Sequence, residues 1–362
     1  MDKKDYRDWL KLVSVKSLGP NRIQKLLKIF KSPKGIFDCD KKQLSDLTFL
    51  SENAIMEINK NESNEFIENQ IALLEKFNVR LISITEDEYP DLLKFIYNPP
   101  ILLYLKGNIL PRDNRAIAIV GTRKPTNYGK MMVRNIGIEI AKAGFTIVSG
   151  LAYGIDGCAH KAAIDAGGRT IAIFGTGLDI VYPAAHKNLA QNIIQSGALV
   201  SEFSLGSKIE AWNFPTRNRI ISGMSKGTFV VEGKKTSGAL LTAKIALEQN
   251  RDIFALPGNI NSPQSEGPNY LIKLGAKIVT CSQDILEEYQ INMQAKSYKI
   301  TPKMTKEEGS IYNLLQKNEK NLSLDEMVEQ SSLSPAQLSA MLLNMELKGI
   351  IKREAQNRYW IL

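Results

Sequence analysis

The sequence predicts an α/β protein built on a doubly wound parallel sheet, with a small helical domain ahead of it and a winged helix behind it. Three patterns point that way. From Ala116 to Thr280, short apolar runs recur at spacings of 24 to 30 residues: AIAIV, FTIVS, TIAIF, ALVSEF, TFVVE, DIFAL and AKIVT. Runs with few polar alternates describe strands covered on both faces, as in parallel sheets. Helical periodicity fills the gaps, at Met131 to Ala143, Cys158 to Ala166, Lys187 to Gln195, Arg217 to Met224, Ala239 to Gln249 and Pro268 to Leu274. Regular alternation of strand and helix is the pattern of layered α/β folds. The flanking segments lack the alternation and read as separate units, so 362 residues divide into two or three domains.

In chain order, residues 1–80 form the helical domain. Apolar residues recur at three and four, as in Ile23, Leu26, Leu27 and Phe30, with breaks at Gly19-Pro20 and Pro33-Lys34-Gly35. Its SLGPNRIQKLL segment, Ser17 to Leu27, sets a turn before a helix whose first turn offers free N–H groups beside Arg22 and Lys25, an arrangement that can hold a phosphate. LTFLSENAIMEI, Leu47 to Ile58, is a weaker copy without the glycine, and the pair resembles tandem helix-hairpin-helix units. Residues 81–106 carry two strand-like stretches around a Pro-rich connector, a bridge into the core domain assigned to 81–290. A polar linker at 291–304 follows. Residues 305–362 show helices at Glu307 to Leu315, Leu324 to Glu329 and Pro335 to Lys348, then a two-stranded ribbon broken at Gln356-Asn357, the winged-helix order. Ser323 and Ser334 stand as N-caps.

Charge narrows the function classes. The chain has 47 Lys and Arg against 38 Asp and Glu, a net charge of +9 that favours polyanionic partners, nucleic acid first. Residues 1–42 hold 12 basic and five acidic groups, either a basic lobe or a solvated helix face. Three cysteines, far apart and odd in number, form neither a disulfide framework nor a metal spacing and fit a reducing, intracellular setting. The charged start MDKKDYRDWL and the lack of a long apolar run argue against secretion and membrane insertion. With two histidines, no metal cluster is expected.

The loops that end the core strands should gather at one edge of the sheet: GTRKPTNYG (121–129), GLAYGIDGCAH (150–160), GTGLDIVYP (175–183), NFPTRNR (213–219) and EGKKTSGA (232–239). In such sheets ligands bind beyond the carboxyl ends of the strands. Glycines at these positions (Gly121, Gly150, Gly154, Gly175, Gly177 and Gly238) would let backbone approach a bound group, and the helices that follow turn N–H groups and positive dipole ends toward it. Arg123, Lys124, Tyr128, Phe214, Arg217, Arg219, Lys234 and Lys235, with Tyr153 and Tyr182, add phosphate charge and stacking faces, the combination suited to single-stranded nucleic acid, and Thr122, Asn218 and Ser237 complete the candidate DNA-binding set. No dinucleotide cofactor is expected, because the first loop is not GxGxxG and GTG at 175–177 leads into LDIVYP rather than a helix.

VGTRKPTNYG, SGLAYGIDGCAHKAA, FGTGLDIVYPAAH, FPTRNRIISGMS, VVEGKKTSGALLTA, ALPGNI and GPNYLIKLGA, in this order and spacing, resemble the DNA-processing protein A family, also called Smf. YPDLLKFIYNPPILLYLKG and LSPAQLSAMLLNMELKGIIKR extend the resemblance over nearly the whole chain. It implies an extended Rossmann-like core, an N-terminal sterile-alpha-motif-like domain and a C-terminal winged helix. It also implies a cytoplasmic homodimer that binds single-stranded DNA without sequence preference, protects incoming DNA in natural transformation and helps load the RecA recombinase. The family's pocket arginine matches Arg123, and its pocket lysine is matched with Lys208. No catalytic residue, metal or cofactor is implied.

The alternative within the wider superfamily is a phosphoribohydrolase-like, nucleotide-cleaving enzyme. Its hallmark is a PGGxGTxxE loop, and here EGKKTSGALLTA puts Ala239 or its neighbours where that glutamate would stand. Structural duties compete for the rest. Any of Arg123, Arg217 and Arg219 could pair with Asp156, Asp179 or Glu232; Asp156 and His160 read as helix-start caps; Glu232 reads as orienting a lysine or an arginine. Trp9 and Trp360 read as core residues, while Trp212 and Phe214 stay open between core and base stacking. The third helix of the winged helix, where a recognition helix would lie, carries one basic residue, Lys348. Residues 301–362 balance eight basic against eight acidic groups, which favours a protein contact over groove reading.

Overall fold

A computed structural model describes residues 5–60, 65–290, 305–317, 322–331, 333–347, 350–354 and 358–361. The chain divides into two compact units, Met1–Met293 and Gln294–Leu362. The 291–304 linker, Lys348 and the Gln356-Asn357 break lie outside the described residues, as does the Trp360 side chain.

The first unit is organised by a nine-stranded sheet: β1 (Arg80–Ser83), β2 (Leu102–Gly107), β3 (Ala116–Val120), β4 (Thr146–Ser149), β5 (Thr170–Phe174), β6 (Ala198–Ser201), β7 (Gly227–Val230), β8 (Asp252–Ala255) and β9 (Lys277–Ile278). Their order is β1-β2-β6-β5-β4-β3-β7-β8-β9. All seven expected core runs are strands, and β3 to β9 pair in parallel. The stretches read as a bridge are β1 and β2, which pair antiparallel with each other and add to the sheet beside β6. The sheet is therefore mixed at that edge. From β3 the chain winds outward through β4, β5 and β6, then returns to place β7 on the other side of β3. The topological switch point lies between β3 and β7, where the loops after the two strands diverge and open a crevice.

Alternate residues of one strand feed different cores. Ile117 and Ile119 pack with Val133, Ile136, Ile147 and Phe229, whereas Ala118 and Val120 pack with Val148, Ile173, Ile220 and Val230. Burial on both faces is what the unbroken apolar runs encode.

The helical region comprises Tyr6–Ser14, Pro20–Phe30, Pro33–Asp38, Lys41–Ser45, Glu52–Asn59 and Glu65–Phe77. It shares a core with the sheet, since Leu10, Leu26 and Leu74 belong to one cluster with Leu102, Tyr104, Phe174 and Leu199. Gln70 fastens the two parts: it is 1% exposed, donates to the Leu205 carbonyl at 2.9 Å and accepts from the Leu205 amide at 3.1 Å. In the SLGPNR turn Arg22 donates to the Ser17 carbonyl at 3.1 Å, and the Ser17 hydroxyl donates to Glu57 of the weaker copy at 2.9 Å.

The second unit has helices Lys306–Lys317, Leu324–Gln330 and Pro335–Leu347 and strands β10 (Leu322–Ser323), β11 (Ile351–Glu354) and β12 (Arg358–Ile361). The expected two-stranded ribbon is a three-stranded sheet, because β10 pairs with β12. Ser323 forms a capping box with Glu326, and the Ser334 hydroxyl accepts from the Gln337 amide at 3.4 Å. Ile311, Met327, Leu338, Leu342, Ile351 and Tyr359 fill the core.

Candidate nucleic-acid interface

The crevice at the switch point is a cleft of about 720 Å³. Its walls come from the loops after β3 and β7 and from helices Asn213–Gly223 and Gly238–Glu248. Gly121, Thr122, Arg123, Phe214, Arg217, Asn218, Ser237 and Gly238 all line it, so segments more than 100 residues apart meet as their loop chemistry predicts. Gly150 borders a small annex between Arg123, Tyr153, Tyr182, Phe214 and Arg217. Ser237 stands at the N-cap position of helix Gly238–Glu248 without a side-chain cap bond, and Gly238 and Ala239, the first residues of that helix, line the cleft. The aromatic floor is a pair: Phe214 and Tyr182 lie with ring centroids 5.5 Å apart.

The three arginines sit in different surroundings. Arg123 is exposed and has no acidic partner among the described residues. Arg217 is 5% exposed and donates to the carbonyl of Gly150 at 2.8 Å and to that of Ile173, tying the ends of β4 and β5. Burial, opposed by the nearby Asp156 carboxylate and reinforced by repulsion from Arg123, lowers its pKa to about 10. Asp156 is itself 6% exposed and accepts from the amides of Gly150 and Ala152. Burial pushes its pKa up despite Arg217 and those amides. Arg219 turns away from the cleft to Glu202 at 2.5 Å, a partner that the sequence did not suggest.

Other expected site residues are placed elsewhere. Tyr128 donates its hydroxyl to the Pro257 carbonyl at 2.9 Å. Lys235 reaches Glu266 at 3.8 Å and covers the Tyr270 ring, on the outer side of helix Gly238–Glu248. Lys124, Lys208 and Lys234 are outside the cleft lining, where Ile209 and Ala211 stand instead of a lysine. The glycines are approached mainly by the protein itself. A Cβ on Gly150 would strike the Arg217 guanidinium, and one on Gly175 would come within 2.8 Å of the Phe214 ring. Gly121, Gly154 and Gly177 are likewise crowded by Ile155, Thr122 and Asp179, whereas Gly238 faces open space.

Two structural duties differ from expectation. Glu232 is 2% exposed and accepts from the Thr126 amide at 2.9 Å and hydroxyl at 2.5 Å, so it braces the loop after β3 rather than orienting a cation. His160 lies inside helix Ile155–Asp165, fully buried, with Nδ1 2.6 Å from Thr170 Oγ1. Because the Thr170 hydroxyl donates to the Ile147 carbonyl, it accepts from His160, which fixes the proton on Nδ1. Trp9 is buried, and Trp212 is 64% exposed at the start of helix Asn213–Gly223.

The sequence reading missed the apolar wall made by Ile209, Ala211, Ile221 and Leu241. Leu241 and Thr242 follow Ser237 and Gly238 at helical spacing, a signal that could have placed them; Ile209 and Ala211 carry none. A second, more apolar groove of about 860 Å³ runs along the outer side of helix Gly238–Glu248, lined by Leu240, Leu247, Tyr270, Leu271 and Leu274. Among the described residues, no group of three or more His, Cys, Asp or Glu is placed to hold a metal, and no helix is long and apolar enough to cross a membrane.

Comparison with known proteins gives a consistent picture. Residues 80–290 match the family model described as DNA recombination-mediator protein A, and residues 296–357 match the DprA winged helix domain. The chain is 45% identical to the DNA processing protein DprA of Bacillus subtilis over 63% of this chain and 78% of that one. It is 40% identical to protein Smf of Escherichia coli, over 80% and 76%, and 32% identical to protein Smf of Synechocystis, over 97% of each. Among solved structures it resembles DNA processing protein A from Streptococcus pneumoniae, with a TM-score of 0.69 and 34% identity over 79% of this chain and 99% of that one. The Helicobacter pylori protein, whose structure addresses its single-stranded DNA binding mode, aligns with a TM-score of 0.53 and 29% identity over 58% and 95%.

Proposed function

Because the chain belongs to the DNA recombination-mediator protein A family, also called DNA-processing protein A or Smf, we propose that its cleft binds single-stranded DNA without reading sequence. The observation that carries this is Arg123: an exposed guanidinium without an acidic partner among the described residues, lining the same cleft as the Tyr182–Phe214 ring pair and the N-terminus of helix Gly238–Glu248. In this reading a phosphate is held by Arg123 and the amides at Gly238 and Ala239, and a base stacks on Phe214 and Tyr182. Thr122, Asn218 and Ser237 supply neutral hydrogen-bonding groups around it, and Lys124 and Lys234 add charge at the rim. Lys208 belongs to the same loop as Ile209 and Ala211 and serves as a rim cation.

The wider role we propose is the family's: a cytoplasmic, non-enzymatic protein that protects incoming DNA during natural transformation and helps load the RecA recombinase. We propose that it acts as a homodimer. The groove beside Leu247 and Leu274, which are 66% and 65% exposed, supports this, since contiguous apolar surface of that kind marks an interaction face.

The test is binding of the full chain to an oligothymidylate, a mixed-sequence single strand and a matched duplex across a salt series. The two single strands should bind alike and the duplex more weakly. With about four to six phosphates neutralised, the slope of log affinity against log salt should be roughly −3 to −4. A flat salt response, or strong preference for one sequence, would sink the reading.

A further inference from the structure

The loop that joins β4 to helix Ile155–Asp165 contains a strained residue. Leu151 is fully buried and has φ of 56°, in the left-handed region that side-chain-bearing residues seldom occupy. Such a conformation persists only where its surroundings hold it. One group that holds this one is His186, which lies 35 positions along the chain in the turn Ala184–His186: its Nδ1 sits 2.9 Å from the Leu151 carbonyl oxygen. A carbonyl can only accept, so Nδ1 carries the proton and donates.

The same ring is gripped on two further sides. Tyr153 meets it edge-on, with centroids 5.3 Å apart and planes at 67°. Gly157 lies behind it so closely that a Cβ there would stand 2.8 Å from the imidazole Cε1. The imidazole is therefore wedged between the helix and the loop, with its Nδ1–H aimed at the strained peptide.

That loop supplies the back wall of the cleft. Gly150 receives Arg217 on its carbonyl and gives its amide to Asp156; Ala152 gives its amide to Asp156 and lines the cleft. Gly154, with φ of 80°, packs on the main chain of Thr122 and Arg123, and the Ile155 amide donates to the Thr122 carbonyl at 3.2 Å. A shift at Leu151 passes to both sides of the site, to the Arg217 floor and to the segment bearing Arg123.

We infer that His186 is a positioning residue for the DNA cleft: without lining the cleft, it fixes the 150–154 loop and through it the placement of Arg123. This rests on the single-stranded DNA reading of the cleft, and its test separates the two. In the full chain, His186→Leu removes the donor at similar volume, whereas His186→Asn keeps an N–H near the Nδ1 position. The Leu variant should bind a labelled oligothymidylate about tenfold more weakly, which is roughly 1.4 kcal/mol. The Asn variant should stay within about threefold of the parent. Amide exchange supplies the second readout: Gly150 and Ala152 should exchange faster in the Leu variant than in the Asn variant, with the sheet amides unchanged. Should His186→Leu fail to fold, His186→Ala takes its place. Equal binding by Leu and parent, equal weakness of Leu and Asn, or unaltered exchange at Gly150 and Ala152 would each overturn the inference. If the parent binds no single strand, the nucleic-acid reading falls alone, and exchange still decides whether His186 holds the loop.

Discussion

Arg217 reaches under the cleft to donate to the Gly150 carbonyl at 2.8 Å, joining a helix that follows β6 to the carboxyl end of β4. Arg123, the other guanidinium of the cleft, makes no such bond. The two therefore differ in setting, since Arg217 is bound to main-chain carbonyls whereas Arg123 is exposed and has no acidic partner among the described residues.

Arg123→Ala should weaken single-strand binding by about 1.5 to 3 kcal/mol, the range for hydrogen bonds to charged groups, and leave the melting temperature nearly unchanged. Arg217→Ala should do the reverse first. It strips two buried carbonyls of their donor and leaves buried Asp156 without the nearby cation, at a cost of about 3 to 5 kcal/mol in stability. Thermal melts beside binding isotherms check both. Unfolding by Arg123→Ala, or a stable Arg217→Ala, would exchange the assigned roles.

Glu232 is expected to act as an internal brace and not as a reagent, because both its oxygens are taken by Thr126. Incubating the protein with nucleoside monophosphates should release no free base. Gly129→Ala should destabilise by about 1 to 3 kcal/mol, since the added methyl would stand 2.5 Å from a carboxylate too well held to move aside. Steady base release abolished by Glu232→Gln would instead favour the nucleotide-cleaving alternative.

His160 predicts a pH effect. Burial, with lesser repulsion from His186 and Arg217, lowers its pKa from 6.5 to about 3. The unfolded chain therefore takes up a proton below pH 6.5 that the folded chain refuses. Its contribution to stability is complete above that pH and is lost as pH falls toward 3, with a slope of up to about 1.4 kcal/mol per pH unit. Asp156, raised by burial, works in the opposite sense: its folded form keeps a proton longer, so its contribution is lost as pH rises through the raised value. His160→Asn removes one titration and leaves the other. Melts across pH should show the variant losing less stability than the parent on acidification; parallel curves would show that His160 titrates as in the unfolded chain.

The winged-helix unit is expected to contribute little to single-strand affinity. Residues 301–362 balance eight basic against eight acidic groups, and helix Pro335–Leu347 spends Leu338, Leu342 and Met345 on its own core. A chain ending near Lys299 should keep its affinity within about threefold, roughly 0.7 kcal/mol, with any loss appearing in partner recruitment. A tenfold loss, with duplex binding by the isolated 301–362 fragment, would show that the wing contacts DNA.

The sequence by itself determined the strands, the parallel winding, the winged-helix order and the gathering of loops at one sheet edge. These follow from local rules: apolar runs of strand length, helical periodicity between them, and serine caps at Ser323 and Ser334. It did not place β1 and β2 in the sheet, because an antiparallel edge pair split by a Pro-rich connector gives the same local pattern as a bridge. Nor could it sort three arginines of one kind, one in the loop after β3 and two in a stretch read as a loop that is the first part of helix Asn213–Gly223. Only the tertiary structure gave Arg217 to Gly150 and Ile173, gave Arg219 to Glu202 and left Arg123 without an acidic partner among the described residues. The reason is physical: a charged side chain's role depends on its desolvation and on which polar groups come within about 3 Å, and those groups arrive from strands far away in the chain. Packing likewise turned Gly150 and Gly175 into seats for Arg217 and Phe214, a use of glycine that its neighbours in sequence do not record.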